Sequence, residues 1–360
     1  MYDIPALIEE PALFDPLRRS VAFGDAPTFL RSAKLKVTAR CNLRCLMCRY
    51  GQGKSLPELD TATWLRVLRE LAALGCRKVH LSGGEVLVRP DFESIVAGAA
   101  AARMKVTLTS NLTLLTKARA KALFANKVRW VSTSLDSASA KLHDEIRGVR
   151  GSYKRTLRGL SLIRRQRHAD RTRLRVNFVM MRKNFREYPA LVRLAAQHGA
   201  HDVVPMPVDT KRARLRLSKR LIREYNEQIA PAVHAARSEA GMPLDEHYVY
   251  PFGRETRGVS ESAEGHYAAG YYRKRPCYAP YLHLFVAWDG LVYPCCMTNG
   301  RITPLGDLGH QSVAEVFHGE RFQQLRARIL RERLPACHAC DMYLEENRSL
   351  AVALNATERE

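Results

Sequence analysis

A chain of 360 residues is long enough for one large or two modest domains with real cores, and a 46% hydrophobic content is ordinary for a soluble globular protein. No apolar run reaches the roughly eighteen residues of a membrane span. Met1-Tyr2-Asp3-Ile4-Pro5 has neither the basic nor the apolar region of a signal peptide. The formal net charge of +22 attracts anions, whether nucleic acid, an anionic substrate or an acidic redox partner. Its arginines run from Arg18 to Arg359 without a dominant block, and no nucleic-acid-binding motif is present. A diffuse steering field or a merely solvated surface fits that spread. Nine cysteines gathered in groups point to metal in a reducing compartment and away from disulfides, so the expected location is the cytoplasm.

Residues 1–33 hold apolar groups without a long pattern and read as a lead-in packed on a barrel edge. A short strand around Leu35 and Val37 leads into Ala39-Arg40-Cys41-Asn42-Leu43-Arg44-Cys45-Leu46-Met47-Cys48, a CxxxCxxC set. Three local thiolates can hold three irons of a [4Fe-4S] cluster and leave the fourth open for chemistry. A zinc knuckle would want a fourth ligand close by, and the nearest histidine is His80.

A helix is predicted from Thr61, read as its N-cap, to Leu74, with Gly75 closing it. Cys76 reads as a small buried hydrophobe. The strand 78–82 then ends in Gly83-Gly84-Glu85, where paired glycines allow close backbone approach to a ligand. Helix 91–103, strand 105–109, Ser110-Asn111-Leu112-Thr113, helix 116–125 and strand 130–136 come next. Ser134 and Asp136 share one face by strand alternation. Helix 152–167, strand 174–180, helix 186–198 and strand 202–205 complete six strand-helix units in about 175 residues, an alternation that means a parallel sheet and a partial (β/α)6 TIM-like barrel.

Residues 206–276 break this rhythm. A basic helical stretch, Lys211 to Arg237, is expected to be interrupted by Pro231, and 243–270 lacks periodicity. The segment reads as an insertion, either a lid or a connector. From Cys277 a β-rich run with Asp289-Gly290 at its turn reaches Cys295-Cys296. A helix over 312–330 precedes Cys337-His338-Ala339-Cys340. A four-cysteine zinc site is the plain alternative for this second set.

The first cysteine stretch, the GGE turn and the segment Ser134-Leu135-Asp136…His143-Asp144-Glu145-Ile146-Arg147-Gly148 together resemble the radical S-adenosylmethionine (SAM) family in its SPASM/twitch branch. The resemblance covers residues 34–345, with 346–360 a tail. It departs from the family in three places: Met47 where an aromatic residue is usual, Val86-Leu87 for Pro-Leu, and Leu112 for a glycine. It implies that Cys41, Cys45 and Cys48 hold a cluster whose open iron chelates SAM, which is cleaved to a 5′-deoxyadenosyl radical. By the same resemblance Met47 meets the adenine, Gly83, Gly84 and Glu85 bind the amino group, Asn111 lies at the cofactor, and Ser134 and Arg147 hold the carboxylate. A loop ion pair with Asp144 is the plain alternative for Arg147. The C-terminal order implies a domain, 277–345, in which Cys277, Cys295, Cys337 and Cys340 hold one auxiliary [4Fe-4S] cluster. Cys296 is expected to be packed, with a hydrogen-atom donor as the alternative.

The reaction implied begins with hydrogen-atom abstraction. A polar small molecule such as a sugar or aminocyclitol is the first expected substrate, oxidised, epimerised or decarboxylated. A ribosomal peptide is second, because some thirty residues before the barrel do not supply a leader-recognition domain. A zinc-dependent nucleic-acid-binding protein is the third reading, set apart by metal content. The expected electron donor is an acidic flavodoxin- or ferredoxin-like protein. Reduction by such a donor should slow as salt is raised, because the screening length falls to about 3 Å at 1 M. A stopped-flow rate indifferent to ionic strength would leave the basic surface without a steering role.

Overall fold

The computed structural model describes residues 4–48, 57–166, 172–332, 334–338, 340 and 345–356. Its centre is a parallel sheet built from β1 (Ser32–Thr38), β2 (Lys78–Gly83), β3 (Lys105–Thr109), β4 (Trp130–Ser134), β5 (Arg173–Met180) and β6 (Asp202–Pro207). Each strand pairs in parallel with the next in sequence. Parallel strands covered on both faces usually read as continuous apolar runs, but these alternate. Ala33, Leu35 and Val37 on β1, Val79 and Leu81 on β2, Val106 and Leu108 on β3 and Leu174 and Val176 on β5 enter the main apolar core. Lys34 and Lys36, His80, Thr107 and Arg175 take the opposite face. One face is thus sealed by helices and the other is the polar lumen of a partial barrel.

The helices that seal the outer face start and stop where their caps dictate. The helix Thr61–Ala73 is capped by Asp60, whose carboxylate accepts from the Thr63 N–H at 2.8 Å. Thr61 itself lies inside the helix and donates to Asp91. Between β4 and β5 stands a helix that the sequence pattern did not suggest, Ala140–Arg147, ended by Gly148 at φ +69°.

Residues 206–276 are more ordered than expected. Pro231 does not interrupt the helical stretch, because it sits in the first turn of Ala230–Glu239, where a missing N–H is tolerated. A π turn, Tyr225–Ile229, joins that helix to Lys219–Glu224. Arg237, fully buried, fastens the unit to β6 by donating to Asp202 at 2.9 Å, to the Val203 carbonyl at 2.7 Å and to the Tyr188 hydroxyl at 3.0 Å.

The C-terminal segment joins the barrel sheet. β7 (His283–Val286) pairs in parallel with the free edge of β1, from Ser32↔His283 to Leu35↔Val286. The Asp289-Gly290 turn, with Gly290 at φ +90°, then reverses the chain into β8 (Leu291–Tyr293), and β9 (Gly306–Asp307) pairs with β8. The result is one nine-stranded sheet, β6-β5-β4-β3-β2-β1-β7-β8-β9, open at both ends.

Both terminal segments are helical, although neither showed a long pattern. The helices Ile4–Glu9 and Pro11–Phe23 bury Ile4, Leu7, Phe14 and Leu17 against Tyr278, Tyr281 and Leu282. The helix Glu345–Ala356 adds Leu350, Ala351 and Leu354 to this second core, so the expected tail is a packed element.

Buried histidines make the fold acid-sensitive, His143 and His283 among them. Burial pushes both His143 and His283 down to about 3, while an unfolded histidine titrates near 6.5. Both are neutral in the fold, so below about pH 6.5 the unfolded chain binds protons that the folded one refuses. The stability they protect is complete above that pH and is lost as pH falls toward 3, at up to about 1.4 kcal/mol per pH unit for each histidine. Urea midpoints should therefore drop between pH 7 and 5, where carboxylates hardly titrate. A flat profile across that window would contradict the burial of these rings.

Candidate active site and iron-sulfur centres

The loop carrying Cys41, Cys45 and Cys48 follows β1 directly and is held by backbone contacts on two sides. On one side the helix Ala140–Arg147 presents its last carbonyls, orphaned as at any helix end. Ile146 O accepts from the Leu46 N–H at 2.9 Å and Arg147 O from the Arg44 N–H at 3.0 Å. A Cβ on Gly148 would lie 2.4 Å from Arg44 O, so no larger residue fits there.

On the other side stands the GGE turn. Gly84 N–H donates to Thr38 O at 2.9 Å and Glu85 N–H to Arg40 O at 2.8 Å. A Cβ on Gly83 would lie 2.4 Å from Thr38 O, and one on Gly84 2.2 Å from Arg40 O. The close approach that these glycines permit is in part to the chain's own backbone, at the end of β1 and the start of the cysteine loop.

Glu85 is 1% exposed and accepts from three protein donors: Ser110 Oγ at 2.6 Å, Asn111 N at 2.6 Å and Leu87 N at 2.9 Å. Burial raises its pKa, and these hydrogen bonds oppose the rise. The carboxylate thus ties the end of β2 to the end of β3. Asn111 continues the tie, its Nδ2 donating to Asn42 Oδ1 at 2.9 Å, while Thr113 accepts from Asn42 and donates to Asn111, both at 2.7 Å. Leu112, where the resembled family has glycine, takes the left-handed φ of +60°. Gly159 makes room for it, since a Cβ there would lie 2.6 Å from the Leu112 Cβ.

Arg147 is 8% exposed and pairs with Asp136, fully buried, at 2.7 Å, and its other terminal nitrogen lies 3.7 Å from Cys45 Sγ. Burial alone would pull its pKa down, but Asp136 and then Cys45 hold the guanidinium protonated. Removing one partner of such a pair costs about 3–5 kcal/mol. The Asp144 alternative fails, because that carboxylate accepts from the N–H groups of Gly151 and Tyr153 and the Ser152 hydroxyl. Ser134 closes β4 half-buried, opposite Asn177. Met47 packs beside Ile146, Met181 and Val208.

Three groups that hold the loop, two directly and one through Arg147, were given no role by the sequence reading. Glu58 accepts from Thr38 Oγ1 at 2.7 Å and from the Ala39 N–H at 2.8 Å. Arg212, beyond β6, donates to Leu46 O at 3.1 Å. Asp136 was visible only as a neighbour of Ser134. Arg212 and Asp136 are far from the loop in sequence, and Glu58, ten residues beyond Cys48, belongs to no local pattern.

The thiols fit iron-sulfur ligation. Burial above all, with Glu85, Cys45 and Cys48 adding to it, pushes Cys41 up to about 11. Cys277 is raised by burial, then by Cys295, Cys337 and Cys340, its three nearest thiol influences. Among the described residues no three His, Cys, Asp or Glu converge closely enough to clasp one ion, whereas a cuboidal cluster takes each thiolate on a separate iron. Cys76 is buried against Lys78 O. Cys296, expected to be packed, is exposed. β8 ends at Tyr293, so Cys295 and Cys296 stand in a bend and turn, and strand alternation does not govern them. Residues 49–56, 339 and 341–344 lie outside the described residues.

Comparison with known proteins gives these centres a context. A model of the radical SAM superfamily matches residues 35–195, and a model of an iron-sulfur cluster-binding domain, SPASM, matches residues 277–341. The AdoMet-dependent heme synthase of Methanosarcina barkeri is 36% identical over 182 residues, 50% of each chain. The PqqA peptide cyclase of Gluconobacter oxydans is 30% identical over 220 residues, 60% of each. The chain thus spans about half to three fifths of the length of these two relatives. The fold is that of Streptococcus suis SuiB bound to precursor peptide SuiA, with a TM-score of 0.66 at 17% identity over 91% of this chain and 75% of that one. No helix among the described residues is long and apolar enough to cross a membrane.

Cysteine variants test the two centres separately. With Cys41, Cys45 and Cys48 all changed to Ala, the protein should keep about four irons, those of the second cluster alone. Cys295→Ala should lose that second iron, and Cys296→Ala should keep it. Iron assay and absorbance of reconstituted protein read both, and zinc in place of iron in the triple variant would overturn the assignment.

Proposed function

We propose, for a chain that is a radical SAM enzyme of the SPASM branch, that it modifies a residue within a peptide. The observation that supports this reading is the pairing of the two matched domains, together with a relative named as a peptide cyclase and a fold neighbour whose structure is bound to its own precursor peptide. It reverses the order of the two readings made from the sequence. A small, polar molecule stays as the second reading, and the likeness to an enzyme named as a heme synthase shows that matched relatives are not all named for peptides.

In the proposed arrangement Cys41, Cys45 and Cys48 hold the cluster that binds SAM, and Cys277, Cys295, Cys337 and Cys340 hold the auxiliary one. When bound, the cluster and SAM supply a 5′-deoxyadenosyl radical that takes a hydrogen atom from the substrate. The chain's own part is positional. Arg147, kept cationic by Asp136, offers charge beside Cys45 to SAM's carboxylate, with Ser134 at the adjoining strand end. Met47 covers the adenine side, and Gly83 and Gly84 bring the β2 turn against the loop. Glu85 and Asn111 act as positioning residues, because their polar atoms already lock the loops around the amino-group side. Fixing these groups before SAM arrives limits the entropy lost on reaching a reactive geometry.

Anaerobic turnover tests the reading. With reductant, SAM and a short peptide encoded beside the gene, the peptide should lose two hydrogens or gain a crosslink. One 5′-deoxyadenosine should form per peptide modified, read by mass spectrometry. Unaltered peptide, with 5′-deoxyadenosine formation accelerated instead by a polar metabolite, would move the assignment to the second reading.

A further inference from the structure

The barrel lumen beneath the cysteine loop holds polar groups that no protein partner satisfies. β2 ends with Ser82 immediately before the GGE turn. Ser82 is 6% exposed, and its hydroxyl has no hydrogen-bond partner. Its neighbours in the outer core, Leu81 and Val79, face the helices, so Ser82 faces the lumen. On β4 the buried Trp130 Nε1–H is also unpartnered, and on β5 so is the Arg175 Nε–H. The Arg175 guanidinium lies 4.3 Å from the Trp130 ring centroid, which places both side chains on one face.

Charge in this space is lopsided. Lys34 on β1 stands opposite His80 and has no ion-pair partner among the described residues. Lys36 adds a second positive charge two residues nearer the cysteine loop. His80 stays neutral: its nitrogens bond Thr107 Oγ1 at 2.9 Å and Thr109 Oγ1 at 3.0 Å, and burial followed by Lys34, Lys78 and Arg175 pushes its pKa down. The acidic groups nearby are committed. Asp202 is 2.9 Å from Arg237 and only 3.9 Å from Arg175, Asp136 is held by Arg147, and Glu346 acts on Lys78 toward the other end of the strands.

A buried donor without an acceptor costs about 1–3 kcal/mol, and a carboxylate offers about four acceptor sites and a negative charge. A neutral hydroxyl would satisfy the indole but leave Lys34 without a counter-charge. We propose that this lumen is a carboxylate-binding subsite, in which Lys34, Ser82, Trp130 and Arg175 hold an acidic side chain of the substrate peptide. The peptide origin of the carboxylate rests on the function proposed above. The lumen chemistry itself does not.

The probes are N-acetylglutamate amide, N-acetylglutamine amide and glutarate, titrated into anaerobically reconstituted protein. Binding is read by calorimetry and by indole emission. The glutamate probe should bind at least about tenfold tighter than the neutral glutamine probe, as charge-assisted hydrogen bonds allow. It should also shift an emission component that is lost in Trp130→Phe. Lys34→Met should weaken it by a similar factor, with a circular dichroism spectrum and melting temperature like those of the parent. If that variant does not fold, Trp130→Phe, which keeps an aromatic ring but removes the Nε1–H, and the small change Ser82→Ala carry the test. Equal binding of the two amides, or glutamate binding indifferent to these substitutions, would overturn the subsite. Lys34-dependent binding of glutarate with the glutamate amide excluded would uphold the subsite and overturn its peptide origin.

Discussion

The structure depends on one docking event, that of the cysteine loop into a frame of backbone. A loop packed against the barrel mouth must find partners for those of its N–H and C=O groups that lose water, and a helix end has carbonyls to give. The end of Ala140–Arg147 and the start of the loop answer each other, through Ile146 O and Arg147 O. The contact works because Gly83, Gly84 and Gly148 have no Cβ where a loop carbonyl passes. The same helix end carries Arg147 to Cys45. One packing solution thus fixes where the thiols lie and what charge stands beside them.

A second consequence concerns the edge of the sheet. β1 begins the barrel, and its outer edge would be an exposed row of unpaired backbone groups. β7 covers it in parallel register, so the segment bearing Cys277 and Cys295 extends from the same strand that leads to Cys41. The two sulfur sets are tied to one sheet. The helix Glu345–Ala356 and the helices that start the described chain then close a second apolar core around Tyr278, Tyr281 and Leu282. This core makes the C-terminal segment an integral part of the molecule.

The lumen arises from the same alternation. Each strand spends its apolar residues on the helix-covered face, which leaves the concave face to Lys34, Lys36, His80, Ser82, Trp130 and Arg175. Some of these satisfy one another, as His80 does with Thr107 and Thr109. Ser82, Trp130 and Arg175 each keep a donor without a hydrogen-bond partner, a composition that suits a ligand bringing acceptors.

The sequence by itself determined the elements whose signals are local. Six strand-helix units, the two cysteine sets and the Asp289-Gly290 hairpin are each written within a few residues of one another, through alternation, ligand spacing and turn chemistry. It did not determine the terminal helices or Ala140–Arg147, which are short and stabilised by packing more than by pattern. Nor could it show that Cys296 stands exposed in a turn, because that depends on β8 ending at Tyr293. Only the tertiary structure decided that the glycine pair serves the cysteine loop, that Arg147 pairs with Asp136 and not Asp144, and that β7 joins β1. Those contacts join residues distant in the chain. Their energy lies in burial, orphaned backbone groups and paired charge, quantities that exist only once the strands have brought the partners together.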